Sequence, residues 1–170
     1  TDNSENILVE QQKYYPITII NLSRNFGGTP SVLAGLHHAN GEAIIYMDSD
    51  LQDPPELIPK LIEKYEMGID VVHTRRIRRL GESKIKLFLT GLAYKFISFF
   101  SINVGLPKNV GDFKLLSKTA LKHILSLKEY DPYLRGLSVW IGFNQEFVDY
   151  VRQPRFAGKT KYNFFTLNPY

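Results

Sequence analysis

The 170 residues include no cysteine, one tryptophan and two methionines. Without cysteine there is no disulfide and no thiolate metal site, which fits a reducing compartment. No run reaches the roughly 18 uninterrupted apolar residues of a spanning helix. No signal peptide, internal repeat or low-complexity tract is legible. A hydrophobic share of 44% with 22% charged residues excludes a disordered chain and supplies one domain with a real core.

The net charge is +4, and its distribution is more informative than its sum. Acidic residues lie mainly in the first half. Basic residues gather at Arg75, Arg76, Arg78 and Arg79, and again from Arg152 to Lys161. Such clusters suit an anionic partner, whether phosphate, nucleic acid or a membrane surface; the alternative is a solvated basic face.

Strand and helix signals alternate. Tyr15 to Leu22 is β-branched and predicts a strand. Thr29-Pro30 predicts a helix start, with Thr29 as N-cap, and Asn40-Gly41 its end. Ala43 to Met47 predicts a short buried strand. Asp53-Pro54-Pro55-Glu56 predicts a second helix start with Asp53 as cap and Glu56 in a capping box; Pro59 is expected to bend that helix, which ends near Gly68. Further strands are predicted at 70–74, 112–116 and 145–152, and helices at 117–127 and from Asp131-Pro132 through Trp140. The order argues for an α/β fold with a largely parallel sheet. Residues 83–100 (SKIKLFLTGLAYKFISFF) are helical in period and very apolar, with Lys84, Lys86 and Lys95 along them. This segment is either an interfacial helix or a core helix with snorkelling lysines.

Asp48 and Asp50 follow the 43–47 strand. Alternate residues of an extended chain point one way, so both carboxylates, with Gln52 if the chain stays extended, face one point. That is a hard, oxygen-only donor set suited to Mg2+ or Mn2+ with phosphates completing the shell. It stands at the carboxyl end of a strand, where α/β sheets bind ligands. A lone D-x-D is common by chance, and its alternative is a capped turn. The other candidates read as ordinary residues: His37-His38 on a helix, His73 in a strand, His123 on a helix, and Trp140 in a core.

The segments NLSRNFGG (21–28), AGLHHANGEAIIYMDSDLQDPPELIPKLI (34–62), NVGDFKLL (109–116), LRGLSVWIGF (134–143) and RFAGKTKY (155–162) resemble, in family order, the polyprenyl-phosphate glycosyltransferases. These are inverting family-2 enzymes, among them dolichol-phosphate mannose synthases and bactoprenol glucosyltransferases. The resemblance implies a GT-A-type, Rossmann-like sheet, a nucleotide-diphosphate sugar donor such as UDP-glucose, Mg2+ or Mn2+, and a polyprenyl phosphate acceptor. It places Asp48, Asp50 and Gln52 at the metal and Asp112 at the acceptor, either as a base or orienting the acceptor or a lysine. Ser23, Arg24 and Asn25 match a loop beside the donor pocket. Arg155 and Lys161 match positions near the phosphates, and Arg75 and Arg76 fall where the family is also basic. Residues 83–100 match a juxtamembrane helix, so the expected location is the cytoplasmic face of a membrane. The resemblance implies a homotetramer as one assembly, and the apolar helix would serve either lipid or a neighbouring subunit.

The chain departs from the family in having no V-x-P-x-Y-N-E strand before Thr1 and no transmembrane helices after Lys161-Tyr162. Residues 1–170 are thus expected to be a partial catalytic domain lacking those two parts. Ser49 stands where alanine is commoner, and Lys159-Thr160 where Glu-Ser is. Two other readings stay open: a family-2 transferase acting on a sugar hydroxyl, and a non-catalytic module binding membrane or nucleic acid. Neither V-G-D-F nor R-F-A-G-K-T-K-Y favours the first, and the second leaves D-x-D-x-Q unexplained.

Overall fold

The computed structural model describes residues 3–79, 109–129 and 132–152, together with the backbone but not the side chains of Arg78 and Arg79. The expected helix at 83–100 and the residues Arg155 and Lys161 lie outside the described residues. The chain divides into two compact units, Thr1–Ala39 and Asn40–Tyr170.

The first unit carries α1 (Ser4–Gln11) and α2 (Gly28–His38). Helix α2 starts one residue before Thr29, with Gly27 at φ +92° as its N-cap, so the expected Thr29 cap is not made. Pro30 lies in the first turn, where its missing N–H has no intrahelical partner to lose. Residues 15–22 form no strand. A strand needs a ladder, and no described ladder includes them; instead Ile17 N–H bonds back to Tyr15 O and Gln12 Nε2 donates to Ile17 O.

The second unit is an α/β sheet built from β1 (Ala43–Tyr46), β2 (Val71–Arg79), β3 (Val110–Ser117) and β4 (Gln145–Arg152). Its order is β1-β3-β2-β4. Strands β2 and β4 are parallel, whereas β3 runs antiparallel to both of its neighbours, so the sheet is mixed. Strand β3 is central and covered on both faces, so it is buried almost throughout rather than alternating.

On one face Val72, Phe113, Leu115, Val148 and Tyr150 pack against Leu57 and Leu61. Those two belong to a 3-10 turn (Pro55–Leu57) and to α3 (Ile58–Glu66). Each fully buried side chain here contributes about 1.5–3 kcal/mol. Pro59 sits in the first turn of α3 and therefore does not bend it. The helix ends as expected at Gly68, whose φ is +90°; Gly68 N–H bonds to Tyr65 O and Ile69 N–H to Lys64 O, a Schellman motif. The opposite face meets α4 (Lys118–Ser126) and α5 (Leu134–Trp140). Ser117 caps α4, accepting from Ala120 N–H at 3.1 Å while donating to Asp70 Oδ1 at 2.8 Å. Helix α5 buries Leu134 and Ser138, one turn apart, which turns Trp140 outward. Trp140 is 60% exposed, not the core residue expected.

Candidate functional site

Asp48 lies just past the end of β1 and Asp50 in the turn that follows, so the strand geometry expected of the pair is broken between them. Asp50 Oδ1 accepts the Gln52 N–H at 3.1 Å, which closes the turn. Leu51 between them is left-handed at φ +57°, a conformation that costs a branched residue about 1–2 kcal/mol. The turn holds that strain because its far end is tied down.

The tie is Asp53. Its carboxylate is fully buried and caps no helix, contrary to the sequence expectation. Tyr150 Oη donates to Asp53 Oδ1, Arg76 Nη2 lies 3.4 Å from both oxygens, and Arg152 Nε lies 3.7 Å away. Arg76 Nε also donates to Tyr150 Oη at 2.8 Å. Tyr150 and Arg76 thus hydrogen-bond the carboxylate, while Arg152 adds its charge without a hydrogen bond, its Nε having no hydrogen-bond partner among the described residues. Burial, then the neighbouring carboxylate, pushes the Tyr150 phenol up to about 12.

Arg76 and Arg75 are adjacent on β2 and so point to opposite faces. The structure brings Arg76 to Asp53. Arg75 instead forks onto Asp149, at 2.6 Å and 2.9 Å, on a half-exposed surface. Gly111 is needed beside Arg76, because a Cβ there would lie 2.7 Å from Nη2.

The acidic turn carries concentrated negative charge. The Asp48 carboxyl is held above the usual carboxylate range by partial burial and by Asp53, Asp50 and Asp112, while Arg152 opposes the shift. A cation would relieve this repulsion, and the oxygen-only donors at Asp48, Asp50 and Gln52 suit a hard divalent ion. Among the described residues no three His, Cys, Asp or Glu side chains already form a metal cage. A metal held here would therefore draw further oxygens from a ligand, as Mg2+ commonly does.

Asp112 sits on β3, half-exposed, and is gripped by Arg135 of α5: Nη2 to Oδ2 at 2.6 Å and Nε to Oδ1 at 3.3 Å. The sequence reasoning missed Arg135. A lone arginine carries no pattern; next to it Gly136 leaves room for the Tyr133 ring, 2.6 Å from where a Cβ would stand. Beside Asp112 on the same face lies a row of paired residues, Tyr46, Lys114, His73 and Phe147. His73 is buried as a strand residue. Its Nε2–H meets Gln145 Oε1 at 2.9 Å, since Gln145 Nε2 donates to Val139 O. Burial, then the charge of Lys114, lowers the His73 imidazole to about 4.

Ser23, Arg24 and Asn25 belong to the first unit and are exposed. The Arg24 guanidinium lies 4.2 Å from the centroid of the Phe26 ring, and Asn25 Oδ1 accepts Gly27 N–H at 2.9 Å.

Residues 1–125 match the family model described as glycosyl transferase family 2. The prophage bactoprenol glucosyl transferase homolog of Escherichia coli K12 is 38% identical over 98% of this chain and 54% of its own length. The bactoprenol glucosyl transferase of Shigella phage SfV is 37% identical with the same coverage. A glycosyltransferase of Synechocystis is 42% identical over 89% of this chain and 47% of its own. The chain spans about half the length of these relatives.

Proposed function

From the premise that this chain belongs to glycosyl transferase family 2, we propose that it carries out inverting transfer of a sugar from a nucleotide-diphosphate donor to a polyprenyl phosphate. The sugar is glucose, the donor UDP-glucose, and the reaction runs at the cytoplasmic face of a membrane. The observation that carries this reading is the juxtaposition of charge at one end of the sheet. An acidic turn, Asp48 to Asp53, shares its field with Asp112 and with the guanidinium of Arg152, while Arg76 closes on Asp53. One sign suits a metal and the other suits phosphate. The bactoprenol glucosyl transferases among the relatives support the lipid acceptor and the glucose. Membrane-surface contact is assigned to the apolar, lysine-bearing sequence at 83–100; among the described residues no helix is long and apolar enough to cross a membrane.

The acceptor is a phosphate monoester with a second pKa of about 6, so at neutral pH its oxygen is already nucleophilic. That oxygen attacks the anomeric carbon as the bond to the diphosphate oxygen breaks, with inversion. Mg2+ or Mn2+, held by Asp48, Asp50 and Gln52, would supply charge neutralisation of the leaving diphosphate. Arg76, with Arg155 and Lys161, screens the approach of a dianion to a diphosphate. Ser23, Arg24 and Asn25 are assigned to donor binding by their match to the family's loop. Asp112 is spanned by a guanidinium fork, so its part is to orient Arg135 and the acceptor rather than to remove a proton.

The test is transfer of labelled glucose from UDP-glucose to a short polyprenyl phosphate, with and without Mn2+, by the full chain and by Asp50→Asn. Metal-dependent transfer that Asp50→Asn loses supports the reading. Transfer to a sugar hydroxyl, or no transfer from any nucleotide sugar, overturns it.

A further inference from the structure

Lys114 lies in the middle of the central strand and is completely buried. A lysine there is costly, because its ammonium leaves water for a site that an apolar side chain would fill at no such penalty. Its Nζ donates to Ser138 Oγ at 2.7 Å, and Ser138 Oγ donates in turn to Arg135 O at 3.0 Å. Arg135 is the residue whose fork grips Asp112. The path is closed: Asp112 and Lys114 stand two apart on one face of β3, and Arg135 and Ser138 stand three apart on α5. Helix α5 has seven residues, of which only Leu134 and Ser138 are buried. So short a helix has little stability of its own, and its contacts with the sheet decide where it sits.

We propose that Lys114 is a positioning residue: through Ser138 it fixes the turn of α5 that carries Arg135, and so sets the fork on Asp112. The consequence for catalysis rests on the reading that Asp112 meets the acceptor. The charged and titratable groups facing Lys114 are Asp112 on its own strand, Arg135 on α5, His73 on β2 and the Tyr46 ring on β1, whose centroid is 5.9 Å from Nζ. Burial lowers the Lys114 ammonium to about 7, with Asp112 opposing the shift. Neutral or charged, the amine retains a proton to donate to Ser138.

The experiment uses the full chain with Lys114→Met, Ser138→Ala and Arg135→Ala, and reads two quantities. The first is the phenylglyoxal labelling rate of Arg135 by peptide mass spectrometry, which needs no substrate. The second is kcat for glucose transfer. Lys114→Met and Ser138→Ala should each speed Arg135 labelling about tenfold, the worth of one hydrogen bond to a charged group. Each should lower kcat with the donor KM unchanged. Adding Lys114→Met to Arg135→Ala should cost nothing further, because the two act through one contact. Unchanged labelling in Ser138→Ala, which removes only a hydroxyl, overturns the proposal, as does an equal kcat loss from Lys114→Met in both backgrounds. Faster labelling in a protein that transfers no sugar supports the staple and overturns the transferase reading instead.

Discussion

Gly111 and Arg76 stand so close that a Cβ on Gly111 would lie 2.7 Å from Nη2 and 3.1 Å from Cζ of the guanidinium. Gly111→Ala therefore has to move a side chain that is held by Tyr150 and Asp53. The expected cost is about 1–3 kcal/mol of stability, the usual range for overpacking. On the proposed role of Arg76 in screening phosphate, glucose transfer should fall more steeply than stability does. Urea unfolding beside transfer kinetics checks both; unchanged kcat in a folded variant would remove Arg76 from the machinery.

Asp53 gives a second prediction. Its buried carboxylate pairs with both Arg76 and Arg152. Asp53→Asn leaves two partly buried guanidiniums facing an amide, and breaking such an arrangement costs about 3–5 kcal/mol. Tyr150→Phe removes one hydrogen bond to the same carboxylate and should cost less, about 1.5–3 kcal/mol. Denaturant midpoints for the two variants give the order directly. A smaller loss in Asp53→Asn than in Tyr150→Phe would mean that the carboxylate is not the centre of the cluster.

These residues also show where sequence reading stops. The β4 strand and the helix that follows Ser117 were legible because both depend on neighbours in the chain: alternation in one case, helical period after a serine in the other. Asp53 was misread for the same reason. The D-P-P-E context is a local helix signal, and its actual partners, Tyr150 and Arg76, come from β4 and β2, far along the chain. Tyr15 to Leu22 has strand composition, but a strand is completed by a partner, which composition does not supply. Residue type alone singles out the D-x-D pair, whereas the local geometry at Asp50 is a side-chain-closed turn rather than extended chain. Arg135 and Lys114 escaped because a lone arginine or lysine carries no pattern; only the α5 packing brings them together.

Acid should weaken the fold through His73. Burial and Lys114 lower its folded value to about 4, against about 6.5 when unfolded. Between those values the unfolded chain binds more protons than the folded one, so stability rises with pH there. The contribution is complete above about 6.5 and is lost as pH falls towards 4, on the order of 3 kcal/mol in all. Melting temperature should therefore drop from pH 7 to pH 4.5, and the drop should shrink in His73→Phe, which has nothing to protonate. An equal drop in both would assign acid sensitivity to other groups.

Metal binding can be separated from turnover. The Asp48 carboxyl is raised because it shares its surroundings with Asp50, Asp53 and Asp112. A divalent cation replaces that repulsion with attraction, and a ligand that binds only the folded state raises stability by mass action. A hundredfold excess of Mn2+ over its dissociation constant would add about 2.7 kcal/mol. UDP should strengthen the effect, because the described side chains form no closed cage and the diphosphate would supply the remaining oxygens. Asp50→Asn should lose most of the Mn2+-dependent rise in melting temperature while keeping its melting temperature in metal-free buffer, since one carboxylate fewer also relieves repulsion. Arg75→Ala, which removes the surface pair with Asp149 and the contact with the Phe147 ring, should keep the Mn2+ response. A response that survives in Asp50→Asn would place the cation elsewhere and leave the acidic turn as a structural anchor for Asp53.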